Sequence, residues 1–240
     1  MFKKTLRIAV AALALTALLS SCGGDLPDYD YQIDMTPYEN AITASGKAYL
    51  TLVNKTHPCG PDYVPESLSA IPSELTLYGK EVQMESTAAL AAEALVRELR
   101  AVGYEDIVIT SGYRSYEYQQ ILFNTYLGNE MEKHPGWTAE KCRAEVLTYS
   151  ALPGESEHQT GLCMDLISTR NVVLDESFAH NPVYEWLTAN AHHFGFILRY
   201  PKGEEATTGY SYEPWHYRFV GVEAATRIRE KGWTLEEYPD

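Results

Sequence analysis

Three separated stretches of this 240-residue chain gather the side chains that metal-assisted and proton-transfer chemistry uses. The first is Ser156-x-His158-x-x-Gly161-x-Cys163-x-Asp165, the second is Glu213-Pro214-Trp215-His216, and the third is Ser111-Gly112-Tyr113-Arg114-Ser115 with Gln119 close behind. Neutral imidazole and carboxylate are the donors that zinc-like cations take, and a site with three such ligands keeps a fourth position for water. The remaining histidines, His57, His134, His180, His192 and His193, stand outside these blocks and read as solvated or internally satisfied side chains. His192 and His193 are adjacent in an expected helix and point two ways, which makes a poor chelate. No Cys-x-x-Cys pair occurs, so a thiolate zinc site is not expected.

Taken together, the three blocks resemble the zinc D-Ala-D-Ala carboxypeptidase family related to VanY. The resemblance runs from about Leu52 to Tyr238 and takes in Leu52-Val53-Asn54-Lys55 near its start and Leu235-Glu236-Glu237-Tyr238 at its end. It implies His158, Asp165 and His216 as ligands of Zn²⁺, with Glu213 as the catalytic base. A bound metal lowers the pKa of a water in its open position toward ~7. Glu213 lies three residues before His216, so it can reach that water without being a ligand, take its proton and return it to the leaving amine. Arg114 stands where a strand gives way to a helix, and its planar guanidinium suits a carboxylate or a developing oxyanion. The resemblance assigns Arg114, Gln119 and Ser156 to holding the C-terminal end of the substrate, without deciding which of them faces the carboxylate and which the scissile carbonyl. Trp215 is expected in the pocket wall. Cys163 departs from the family's usual Ala; on a strand it shares a face with Asp165. It reads as a buried small hydrophobe, whereas a sulfur ligand would close the site.

The elements that must position these blocks are partly visible. Ser86 is expected to cap an apolar-periodic helix that Gly103 closes, followed by a strand at Ile107–Thr110 that delivers Ser111–Ser115. Helices are expected at about Ser115–Tyr126, Thr138–Ser150, Val183–His193 and Val222–Lys231, and strands at Tyr49–Val53, Met164–Ile167 and Phe196–Tyr200. Helices mixed with short strands indicate an α+β domain with a small, mostly antiparallel sheet flanked by helices. The resemblance implies the hedgehog/D,D-peptidase type of that architecture. Cys59, Cys142 and Cys163 are an odd number, and Cys59–Cys142 is the expected disulfide because Cys163 lies inside a motif.

Residues 1–21 pair a basic start (Lys3, Lys4, Arg7) with an apolar run from Ile8 to Leu19 that is too short to span a bilayer, the layout of a secretory leader. The run ends in Leu19-Ser20-Ser21-Cys22, which resembles a lipobox, so Cys22 is the expected lipidation site and membrane anchor. Residues 22–46 are polar and turn-rich and read as a tether, leaving residues 47–240 as one catalytic domain. Lys and Arg total 19 against 33 Asp and Glu, a net charge of −14; loss of the three leader cations makes it −17. Such a surface repels phosphate backbones, which excludes nucleic acid as a partner.

The expected protein is therefore a lipid-anchored monomer on the outer face of the bacterial cytoplasmic membrane or in the cell envelope, removing D-Ala from peptidoglycan stem peptides. Rival readings are an L,D-carboxypeptidase acting on tetrapeptide stems and a zinc-bearing wall-binding module without catalysis. The presence of Glu213 speaks against the second rival.

Overall fold

The computed structural model describes residues 25–239; the expected leader and Cys22 lie outside the described residues. In chain order the elements are α1 (Glu39–Ile42), β1 (Leu68–Ala70), β2 (Gln83–Glu85), α2 (Ser86–Ala101), β3 (Ile107–Ser111), α3 (Tyr116–Lys133), α4 (Ala139–Tyr149), β4 (Cys163–Ser168), α5 (Pro182–Asn190), β5 (Phe196–Leu198), α6 (Glu205–Thr208), β6 (His216–Phe219) and α7 (Val222–Lys231). Four strands form one antiparallel sheet in the order β3-β4-β6-β5, and β1 pairs with β2 in a separate antiparallel ribbon. This is the expected α+β arrangement of a small antiparallel sheet with helices around it.

Alternation along β4 and β6 sorts chemistry from packing. Met164 and Leu166 on β4, with Tyr217 and Phe219 on β6, join the main core, so Cys163 and Asp165, with His216 and Arg218, occupy the other face. The core side is closed by α2, whose Leu95, Val96 and Leu99 are fully buried among five buried or nearly buried alanines. Each such large apolar side chain contributes on the order of 1.5–3 kcal/mol of burial. The helix starts where the Glu85 carboxylate accepts from the backbone N–H groups of Thr87 and Ala88 at 2.9 and 3.0 Å. The cap is thus Glu85 rather than Ser86, as an acidic group suits a helix N-terminus.

Three expectations are corrected. Tyr49–Val53 is not a strand: Lys47–Leu50 forms a 3₁₀ turn, and the Tyr49 and Thr51 carbonyls accept from Arg218 Nη2 at 3.0 and 2.8 Å instead of from a sheet partner. The segment read as a tether lies on the domain from Leu26 onward. Ile42 is fully buried, Met35 and Tyr38 nearly so, and Gln32 N–H donates to both Glu98 carboxylate oxygens at 3.0 Å. The turn-rich composition hid four aromatic or aliphatic side chains, Leu26, Tyr29, Tyr31 and Ile33, that cover the core edge. Finally, Cys59 and Cys142 are free thiols, as is Cys163.

Candidate metal centre

Register brings the centre together. Asp165 on β4 is the direct cross-strand partner of His216 on β6, and after a shift in pairing Asp165 also faces Ser111 at the end of β3. His158 arrives from a 3₁₀ turn, Glu157–Thr160, that Ser156 begins and Gly161 ends in the left-handed region at φ 68°. A side chain on Gly161 would meet Glu85 N at 2.8 Å, so glycine is required there both for conformation and for space.

The expected ligand set converges. His158 Nε2 lies 3.3 Å from one Asp165 oxygen, and His216 Nδ1 lies 3.1 Å from the other. Two donors ~2.0–2.2 Å from one tetrahedral ion stand a little over 3 Å apart, so these separations fit a common cation. The other nitrogen of His158, Nδ1, hydrogen-bonds the Gly112 carbonyl at 2.6 Å, which fixes the ring with Nε2 free for a metal. Gly112 is needed for that approach, because a Cβ there would collide with the Gln83 carbonyl at 2.4 Å. Burial opposes the charged forms of all three groups. The neighbouring Cys163 sulfur and the Asp165 carboxylate nevertheless raise His158 and His216, and the two imidazoles hold Asp165 well below the usual carboxylate range. A cation would replace those protons with its own charge.

Glu213 stands beside the set without joining it, with Oε2 3.6 Å from His216 Nδ1. Its position is held by its backbone: Glu213 N–H donates to the Tyr200 carbonyl at 3.1 Å, and His216 N–H donates back to the Glu213 carbonyl at 3.2 Å. Burial pushes its carboxyl up to about 7, against the lowering pull of His216. A carboxylate near neutrality beside a cation site has the proton affinity of a general base.

These groups open onto a cleft of about 750 Å³. Arg114, Gln119, Ser156 and Trp215 all line it, as the sequence reading required. Arg114 N–H donates to the His158 carbonyl at 3.0 Å, tying the arginine loop to the metal turn, while its Nε has no protein partner. Gln119 is nearly buried; its Nε2 donates to the Ala151 carbonyl at 2.8 Å and its Oε1 remains free. Ser156 is also buried and accepts weakly, at 3.4 Å, from His158 N–H. Tyr113, Tyr126, Tyr149, Tyr200 and Tyr210 supply much of the remaining wall.

Sequence reasoning missed Glu157. One of its oxygens accepts from Arg199 Nε and Arg218 Nη1, both at 2.7 Å, and all three side chains are fully buried. The second oxygen has no hydrogen-bond partner and lies 3.7 Å from His216 Nε2, which also has none. Burial alone would raise the Glu157 pKa, but Arg199 and Arg218 overwhelm that and keep it ionised. The carboxylate therefore sits behind His216 and, at 3.7 Å, attracts the Nε2 edge of the ring without hydrogen-bonding it, which leaves Nδ1 facing the cation site. Its position between Ser156 and His158 was the available signal, but an acidic residue inside a turn reads as solvated until the two arginines are placed.

Fold and site together define a single α+β domain with a buried cluster of nitrogen and oxygen donors, and an adjacent carboxylate, at the floor of its cleft. The chain belongs to the VanY D-alanyl-D-alanine carboxypeptidase family, whose model matches residues 81–222. It is 40% identical over 193 residues to YodJ of Bacillus subtilis, a carboxypeptidase assigned by inference, covering 79% of this chain and 66% of that one. Among solved structures it resembles a mutant of the vancomycin-resistance D,D-pentapeptidase VanY in complex with Zn(II), at 36% identity and a TM-score of 0.67, covering 80% of this chain and 98% of that one. It also resembles the LD-carboxypeptidase LdcB, at 35% identity and a TM-score of 0.68, covering 87% and 92%. The chain spans 66% and 65% of the length of two curated relatives, just under two thirds.

Proposed function

We propose that this protein is a zinc-dependent D-alanyl-D-alanine carboxypeptidase that removes the C-terminal D-Ala from peptidoglycan stem peptides. The observation that carries this reading is the convergence of His158 Nε2, the two Asp165 oxygens and His216 Nδ1, with Glu213 3.6 Å from the last. Zinc held by these three residues would supply Lewis-acid activation of water and of the scissile carbonyl.

The chain's own groups do the rest. Glu213 takes the proton of the attacking water on its carboxylate and delivers it to the departing D-Ala nitrogen. Glu157 keeps His216 oriented from behind, and the Gly112 carbonyl does the same for His158. Arg114, with an unpartnered Nε in the cleft, grips the free C-terminal carboxylate of the substrate; the Ser156 hydroxyl and the Gln119 Oε1 offer a further donor and an acceptor to its last residue. The tyrosine-lined wall covers the peptide and limits water at the reacting bond.

An L,D-carboxypeptidase acting on tetrapeptide stems is the second reading, supported by likeness to LdcB. Tripeptide, tetrapeptide and pentapeptide stems incubated with zinc-loaded protein, with and without a chelator, separate the two by mass spectrometry. Loss of one D-Ala from the pentapeptide, abolished by the chelator, is expected. Trimming of the tetrapeptide alone selects the second reading, and no cleavage of any stem by zinc-loaded protein overturns both.

The placement at the outer face of the membrane, as a monomer held by a lipid on Cys22, belongs to the same proposal, and the anchor is supported by the leader pattern and the lipobox-like Leu19-Ser20-Ser21-Cys22. Metabolic labelling with a fatty acid tests it: label present in the native chain and absent from Cys22→Ser is the expected result.

A further inference from the structure

Cys163 brings a sulfur into the same centre. One donor atom each from His158, Cys163 and His216 fall within 4.8 Å of one another, and all three residues are buried. Strand geometry enforces this, because Cys163 lies two residues before Asp165 on the same face of β4, beside the strand that carries His216. His158 is already oriented for such a set, because the Gly112 carbonyl holds its Nδ1 at 2.6 Å and leaves Nε2 for a cation.

We propose that Cys163 is a latent fourth protein ligand, so that this centre captures thiophilic divalent cations, represented by Cd²⁺, through His158, Cys163 and His216. The inference rests on the proposed function only in taking His158 and His216 as metal-holding residues. Thiolate is the soft donor of the group, and soft cations rank it above the carboxylate of Asp165. Nitrogen and sulfur ligands of zinc, at ~2.0–2.3 Å from the ion, stand ~3.5 Å apart, and the present spread of up to 4.8 Å leaves room for a larger cation. The thiol proton leaves to solvent as the cation enters, and no redox change occurs.

Titration of the metal-free chain with CdCl₂, followed by ultraviolet difference absorption and by cadmium analysis after dialysis, tests this. The native chain is expected to bind one cadmium with a sulfur-to-metal charge-transfer band. Cys163→Ala should lose that band and bind cadmium about 10-fold or more weakly, at least the scale on which groups supporting a ligand count. Bound cadmium with no such band, or the same band in Cys163→Ala, overturns the role of Cys163 and leaves the metal centre standing. Failure of both proteins to retain cadmium or zinc overturns this inference and the proposed metal centre together. Cys163→Ser, which keeps the volume and a hard oxygen donor, is expected to behave like Cys163→Ala; a full cadmium band in it also overturns the assignment.

Discussion

The distinction between the proposed ligand and the proposed base rests on about half an ångström around His216. Asp165 meets its Nδ1 at 3.1 Å, whereas Glu213 stands at 3.6 Å on a backbone that hydrogen-bonds Tyr200 and His216. Glu213→Gln should therefore retain stoichiometric zinc by elemental analysis while kcat falls by ~10²–10⁴-fold, the usual worth of a positioned base. Near-normal turnover in the metal-loaded variant would remove Glu213 from that role. Arg114 is tested by substrate chemistry: Arg114→Ala should lower kcat/KM on a free C-terminus by ~10-fold or more, corresponding to about 1.5–3 kcal/mol for a charge-assisted hydrogen bond. Amidated substrates should lose much less, and equal losses on both would contradict a carboxylate grip.

The elements impose their own demands, and the clearest is the approach of the β3 exit loop to the metal turn. Gly112 passes so close to β2 that its carbonyl can reach His158 Nδ1, and a methyl group there meets the Gln83 carbonyl and Val82. Gly112→Ala should destabilise the domain by about 1–3 kcal/mol in urea melts, as overpacking does, and weaken zinc binding at the same time. A variant with native stability but lost zinc would separate the two effects and locate the cause in His158 alone. On the opposite side, the β4–β6 register decides which residues meet, since a slip of one position along either strand would turn its own site residue, Asp165 or His216, toward the core.

Across the whole molecule, distant parts of the chain are bound to the floor of the centre. Arg218 on β6 donates to Tyr49 and Thr51 carbonyls, Arg199 pairs through two nitrogens with Glu236, and both arginines meet at Glu157. Two cations face two carboxylates, so the buried network is charge-balanced; removing one member should cost about 3–5 kcal/mol by stranding the others. The N-terminal segment is equally integral, and Ile42→Ala should cost about 2–5 kcal/mol by chemical denaturation, where a free tether would show no change. Acid sensitivity should come partly from His192, whose pKa is lowered to about 4 by burial and by the charges of His193 and Arg229. With a folded value below the ordinary 6.5, the unfolded chain binds the proton first, so stability present above about 6.5 is lost as the pH falls toward 4. The melting temperature of His192→Gln should decline less over that interval than that of the native chain; identical slopes would clear His192 of the effect.

The amino-acid order by itself determined the residue types of the centre, their grouping in three blocks, and the helices at α2, α4 and α7, because ligand chemistry and apolar periodicity are local properties. Through the family resemblance it also marked Arg114, Gln119 and Ser156, and it placed Trp215 in the pocket wall; all four line the cleft. It could not supply the second life of polar residues that pair across the fold. Glu157 looked like a solvated turn residue until Arg199 and Arg218 surrounded it, and Tyr49–Val53 looked like a strand until Arg218 took its carbonyls. The tether and the Cys59–Cys142 pairing failed for the same reason: burial and thiol proximity are set by contacts between residues far apart in the chain, which no window of sequence contains.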